Sequence, residues 1–191
     1  KLYIMLAVFD GIEHGTITDD ANVDALLKQM ITVSSNEAAN GLLSRIGNGD
    51  GKAAIATVAA TAQRYGFTSS EELRTLTGMA SGNAVENWTS TRDCGSFLSQ
   101  VYAGTLVSKN ASERMMQLLL GQTRRTKIPA GVPSGVKVAN KTGELAAVQN
   151  DVAIVFGTHP YVLAVMSNDI SSAVAPSQIT ELSRAVWDAA Q

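Results

Sequence analysis

The sequence holds one cysteine and two histidines in 191 residues. A single thiol excludes an internal disulfide, and Cys94, set among helix-forming residues, reads as a small buried hydrophobe rather than a nucleophile. His14 and His159 lie far apart and share no metal-ligand spacing, so both read as loop residues; no metal site or cofactor is expected. Excess basic charge is missing too. A formal net charge of -2 and a pI near 5.7 argue against nucleic acid as a partner, because phosphate contacts need concentrated Lys and Arg. The nearest approach to a basic patch, Arg124, Arg125 and Lys127, reads as a solvated loop. There is no P-loop and no Gly-x-Ser-x-Gly elbow, and GNGDG at 47–51 follows a helix rather than a strand, so it reads as a turn.

A membrane span is likewise not expected. The apolar run KLYIMLAVF, Lys1 to Phe9, is too short to cross a bilayer, and no small-residue cleavage pattern follows it before Asp10, Glu13 and His14. It reads as a helix hydrophobic on every side and buried in a core. Because it opens the chain without a starting methionine, an upstream segment is expected.

What is present is a chain 45% apolar and 17% charged, enough to bury one ordinary core, so residues 1–191 are expected to form a single domain. Asp19 or Asp20 can cap a helix carrying Val23, Leu26, Leu27, Met30 and Ile31. Ser35 or Asn36 can cap the next, with Ala38, Ala39, Leu42, Leu43 and Ile46 inward and Gly47 as its stop. A helix from about Ala53 to Tyr65 ends at Gly66. Residues 67–88 show no period and read as a long irregular loop. Ser90 and Asp93 are spaced as a capping box for a helix bearing Phe97, Leu98, Val101 and Tyr102. A further helix around Met115 to Leu120 stops at Gly121. Three strand-like runs follow, Val136 to Lys141, Val148 to Phe156 and Tyr161 to Asn168, with connections short enough for antiparallel hairpins. Pro176 suits the first turn of a last helix with Ile179, Leu182, Val186 and Trp187 on one face. The fold class is therefore α+β: a helical region, then an antiparallel sheet covered by a C-terminal helix.

Three short stretches could carry chemistry: Lys1, the triplet Ser34-Ser35-Asn36, and Lys141-Thr142-Gly143. Singly, each has a structural reading as a surface cation, a helix cap or a turn. In this order they resemble the penicillin-recognising serine enzymes, above all the class A β-lactamases and their penicillin-binding relatives, whose set is Ser-x-x-Lys, Ser-Asp-Asn and Lys-Thr-Gly. MITVSSNEAANGLL is similar to the second motif with its flanks, NKTGELAAVQNDVAIVFG to the third running into the next strand, and KLYIMLAVF to the helix that continues from Ser-x-x-Lys. ENWTSTRD, closing the irregular loop, fits the same family. The resemblance covers nearly the whole chain.

The resemblance implies a serine hydrolase that forms an acyl-enzyme with β-lactams or D-alanyl peptides, a small-molecule substrate and an extracytoplasmic location. It places the nucleophilic serine three residues before Lys1, and implies two sheet strands and a helix upstream, without which Tyr161 to Asn168 is an uncovered edge and residues 1–191 alone are expected to aggregate. It assigns Lys1 as base or proton relay, with a pKa lowered by burial and by Lys141, and Ser34 as the donor to the leaving nitrogen. Asn36 would hold the substrate amide and orient Lys1. Lys141 and Thr142 would meet the substrate carboxylate, Gly143 would leave room for the ligand, and the Glu144 backbone amide would donate to the oxyanion. Two departures stand out. Ser35 replaces the usual aspartate, and the loop SSEELRTLTGMASGNAVENW lacks the Glu-x-x-Leu-Asn that activates the deacylating water in class A enzymes. Glu71 and Glu72 are the nearest carboxylates and read as solvated loop charges. A slow-deacylating DD-peptidase or penicillin-binding protein is the enzymatic alternative, and a non-catalytic β-lactam- or peptidoglycan-binding module the alternative from another class.

Overall fold

A computed structural model describes residues 1–76 and 86–191. The opening apolar run becomes α1, Leu2–Glu13, with every residue from Leu2 to Gly11 buried. A helix apolar on all sides satisfies its backbone internally and needs neighbours all round it. These are α3 (Asn36–Ile46) and α4 (Gly51–Arg64), with α2 (Ala21–Thr32) lying against α3. Capping sets the register of each. The Asp20 carboxylate accepts from the amides of Asn22 and Val23 at 2.9 and 2.8 Å, and Ser35 Oγ accepts from Ala38 N at 3.1 Å. Of the two caps weighed for α3, Ser35 is therefore the one used, and Asn36 is the first helical residue. The inward positions of α2 and α3 match the periodic pattern, with Leu26 half-buried at the edge of its stripe.

The helix α5, Thr91–Ala103, starts at Ser90, whose hydroxyl accepts from Asp93 N at 3.1 Å. Only half of the expected capping box forms. Asp93 turns its own carboxylate to the start of the irregular loop, where Ser69 N and Ser70 Oγ both donate to Oδ2 at 2.8 Å. An aromatic trio continues this junction, with Tyr3, Phe67 and Phe97 at centroid separations of 5.6 to 6.0 Å. The loop is drawn together by a bridge between Glu71 and Trp88 and by an Arg74–Glu86 ion pair at 2.8 Å; its expected irregular middle, residues 77–85, lies outside the described residues. Helix α6, Lys109–Leu120, begins a turn and a half earlier than its apolar pattern suggests, because Ser108 caps it through Ala111 N.

A short 3-10 turn, Ile128–Gly131, leads into a three-stranded antiparallel sheet of β1 (Lys137–Leu145), β2 (Val148–Phe156) and β3 (Tyr161–Val165), in that order. β1 runs four residues past the expected end at Lys141, since Leu145 pairs with Val148 across a two-residue turn. Thr142, Gly143 and Glu144 therefore belong to a strand and not to a turn. β3 is shorter than expected and stops at Val165. Period-two alternation splits the sheet: Ala139, Val152, Ile154, Val162 and Ala164 join the helical core, while Val138, Ala153, Val155, Leu163 and Val165 face a second, smaller core with Ile128.

The last helix, α7 (Ala175–Ala190), covers that second core with a line of residues that matches the expected one in part: Ile179 is in the core and Trp187 packs against it. Ala175, Ile179 and Ser183 are buried, whereas Leu182 is 46% exposed and Val186 and Trp187 are half-buried. The reason is the close approach of the 3-10 turn. A Cβ on Gly131 would lie 2.4 Å from Thr180 O and 2.6 Å from Ser183 Cβ, so only a small residue on α7 fits opposite it. The α+β class and the order of helices, meander and covering helix hold.

Candidate active site

Three elements converge on one cavity of about 730 Å³. Lys1 directly precedes Leu2 of α1, Ser34 and Asn36 lie at the junction of α2 and α3, and Lys141 lies within β1. The junction is tight. Between the end of α2 and the cap of α3, Ser34 takes a φ of +61°, a left-handed conformation that costs a non-glycine residue about 1–3 kcal/mol and persists where the surroundings over-determine it. It directs Ser34 Oγ into the space between the two lysines.

Lys141 occupies the sheet face that meets the helical core, opposite Val152. Its ammonium donates to Ser34 Oγ at 2.9 Å and to Thr142 O at 2.6 Å. Lys1 Nζ donates to Ser34 O at 2.5 Å, to Asn36 Oδ1 at 2.7 Å and to Ser34 Oγ at 3.1 Å. Three donors meet three acceptors, so Lys1 is saturated only as the ammonium.

Both cations are held below the ordinary lysine range. Burial, then Lys1, then Arg124 push Lys141 down to about 7; burial and then Arg124 push Lys1 down to about 8. The neighbour expected to depress Lys1 was Lys141, yet Arg124 stands in that place. Its loop brings it to the cavity wall beside Lys1 and Lys141.

The stretch read as a solvated basic loop is thus divided. Arg125 is exposed and donates to Val138 O at 3.3 Å, and Arg124 is exposed but lines the cavity. Lys127 is only 1% exposed, donating to Asn150 O at 3.1 Å and to Glu144 Oε1 at 3.0 Å. A buried cation survives because both contacts compensate its lost hydration. The Glu144 carboxylate also binds Arg124.

Thr142 and Gly143 border the same cavity. A Cβ on Gly143 would meet only Asn150, at an ordinary 3.5 Å, so the protein's own packing does not demand glycine there.

Of the two loop carboxylates, Glu71 is exposed as expected, but Glu72 is not a solvated charge. It is 7% exposed, lines the cavity, and accepts from Asn87 Nδ2 at 3.0 Å. Burial raises its pKa. The tie reaches across the loop to a residue fifteen positions away, so no local pattern marks Glu72 as buried. Cys94 is buried and lines the cavity, 3.3 Å from Thr89 Oγ1 and 3.7 Å from Tyr3 Oη. His14 and His159 are both exposed at turns away from the cavity.

No helix among the described residues is long and apolar enough to cross a membrane. Among curated proteins no sequence matches this chain. The fold is similar to that of PBP-A (23% identity, TM-score 0.85), over 98% of this chain and 78% of that one. It is similar also to a beta-lactamase from Sphaerobacter thermophilus (21%, 0.86), over 99% and 80% of the two chains. A class A beta-lactamase of the last common ancestor of Gram-negative bacteria gives 21% identity and a TM-score of 0.81, over 98% and 82%. The model of the beta-lactamase enzyme family matches residues 18–190, nearly the whole length, and the chain belongs to that family.

Proposed function

We propose that this chain is the catalytic body of a serine hydrolase that opens β-lactams or D-alanyl peptides through an acyl-enzyme. The observation that carries the reading is the position of Ser34 Oγ, within 3.1 Å of Lys1 Nζ and 2.9 Å of Lys141 Nζ. A hydroxyl has two acceptor sites and one donor. With both ammonium groups charged, its acceptors are filled and its proton points elsewhere, toward a leaving nitrogen in the cavity. When Lys1 loses a proton, one of its three contacts must reverse. Ser34 O and Asn36 Oδ1 can only accept, so the Ser34 hydroxyl is the partner able to turn and donate. Lys1 and Ser34 thus form a short proton relay, with Lys1 as general base toward the attacking serine expected three residues earlier in the full-length protein.

Lys141 and Thr142 receive the substrate carboxylate, Asn36 holds its side-chain amide, and the Glu144 backbone amide donates to the oxyanion. The open space over Gly143 supports a ligand lying along β1. A point mutant of the fold neighbour PBP-A has been captured as an acyl-enzyme with penicillin G, which supports the same chemistry for this chain. The reading carries an extracytoplasmic location with it, where such substrates are met.

Two fates of the acyl-enzyme compete. The missing Glu-x-x-Leu-Asn favours slow deacylation and a penicillin-binding peptidase, since general-base assistance contributes about 10²- to 10⁴-fold. The buried Glu72 in the same cavity favours hydrolysis. Mixing the full-length protein with a chromogenic cephalosporin separates them: many turnovers per site indicate a β-lactamase, and one stoichiometric burst a peptidase. No covalent adduct by intact-mass measurement would leave only a binding module.

A further inference from the structure

We propose that the Glu144 side chain is a built-in competitor for the substrate carboxylate, holding Arg124 on the cavity wall until an anionic ligand draws it away. The proposal rests on the carboxylate-binding reading above. It starts from an asymmetry in one small network. Glu144 Oε1 is anchored by Lys127, a buried cation itself fixed to Asn150 O, while Oε2 binds the guanidinium of Arg124. The Arg124 backbone is held, with its amide donating to Gln122 Oε1 at 2.9 Å and its carbonyl accepting from Asn140 Nδ2 at 3.4 Å. Its side chain is about half exposed. Glu144 and Lys127 are therefore the fixed pair, and the Arg124 side chain is the member free to move.

That side chain lines the same cavity as Lys1, Lys141 and Thr142, and it acts on both lysines through space. A carboxylate arriving at Lys141 and Thr142 meets a third cation already neutralised by an internal carboxylate. Glu144 thus sets how strongly the site prefers an anionic over a neutral ligand. An exposed ion pair is modest in strength, so the effect is modest, about two- to fivefold.

The experiment measures the second-order acylation rate of the full-length protein with benzylpenicillin and with its methyl ester, by intact-mass spectrometry. The readout is the ratio of acid to ester rates. Glu144→Gln keeps the backbone amide and an acceptor oxygen for Lys127, and should raise that ratio about two- to fivefold. Arg124→Gln, at an exposed side chain, should lower it, and Arg124→Gln/Glu144→Gln should match Arg124→Gln alone. An unchanged ratio in Glu144→Gln, or a gain that survives loss of Arg124, overturns the proposal. No adduct with either compound in the unmodified protein overturns the acyl-enzyme reading itself, a different result from an adduct that forms without discrimination.

Discussion

The two walls of the cavity hold their charges by different means. The helical wall draws on Lys1, next to the first residue of α1, and on the junction of α2 and α3, with Ser34 in a left-handed link and Asn36 in the first turn of α3. The strand wall is made of a mid-strand run, Lys141 to Glu144, whose positions follow from pairing with Val152 to Gln149. Lys141 is 6% exposed while Lys1 and Ser34 are half-buried. The helical wall is thus placed by caps and backbone conformation, and the strand wall by register. A perturbation of the first should act through local geometry and proton position, and one of the second through binding.

Removing a cation from the helical wall tests the larger difference. Lys1→Ala should lower the acylation rate by about 10²- to 10⁴-fold, the range of a lost general base, while non-covalent capture of an anionic ligand at Lys141 persists. The strand wall responds otherwise. Gly143→Ala should leave the melting temperature nearly unchanged, because the added Cβ meets only Asn150 at 3.5 Å. Its acylation rate should nevertheless fall about tenfold or more, as overfilling a fitted space costs about 1–3 kcal/mol. A melting temperature that drops along with the rate would mean that glycine serves the fold and not the ligand.

The pH profile distinguishes the walls through their lysines. In the proposed mechanism, carboxylate capture needs Lys141 charged and the relay needs Lys1 neutral. Their depressed values, about 7 and about 8, give a bell for kcat/KM that rises toward pH 7 and falls beyond pH 8, tenfold per unit on each limb. The two apparent values belong to the pair. An ester substrate, with no carboxylate for Lys141, should lose the alkaline limb. In Lys1→Ala, removal of the neighbouring charge should raise the Lys141 pKa and carry its binding limit to higher pH.

How far the sequence revealed this site follows from the same division. Helix starts were legible at Asp20, Ser35 and Ser90, where the cap stands close to the periodic apolar run, because capping and amphipathicity are local; the caps at Asp50 and Ser108, farther from their apolar residues, were not read. The motif residues Lys1, Ser34, Asn36 and Lys141 stood out only in combination, and the fold brings these four to one cavity. Charge networks were not legible. Lys127 meets Glu144 and Asn150 across 17 and 23 positions, and Glu72 meets Asn87 across the loop; nothing adjacent to those residues signals burial. The face of α7 was legible at Ile179 and Trp187 but misplaced at Leu182, for a related reason. Its inward line is set by the 3-10 turn some fifty residues earlier, which made a small serine one of the buried residues and left Leu182 outside.

The smallest effect expected is the most specific to the helical wall. At φ +61°, Ser34 holds a conformation in which a Cβ is strained and glycine is not. Ser34→Gly and Ser34→Ala both delete the hydroxyl between the lysines, so each should impair acylation alike. They should differ in stability. Glycine relieves the left-handed strain but loosens the unfolded chain, whereas alanine keeps the strain and gains nothing in exchange. Where φ is positive the first effect outweighs the second, so Ser34→Gly should be the more stable of the two, by about 1 kcal/mol. Denaturant midpoints of the two variants measure this directly. Equal midpoints would show that the junction relaxes once the hydroxyl is gone, and hence that the two lysines, rather than the helix ends, hold Ser34 in its left-handed turn.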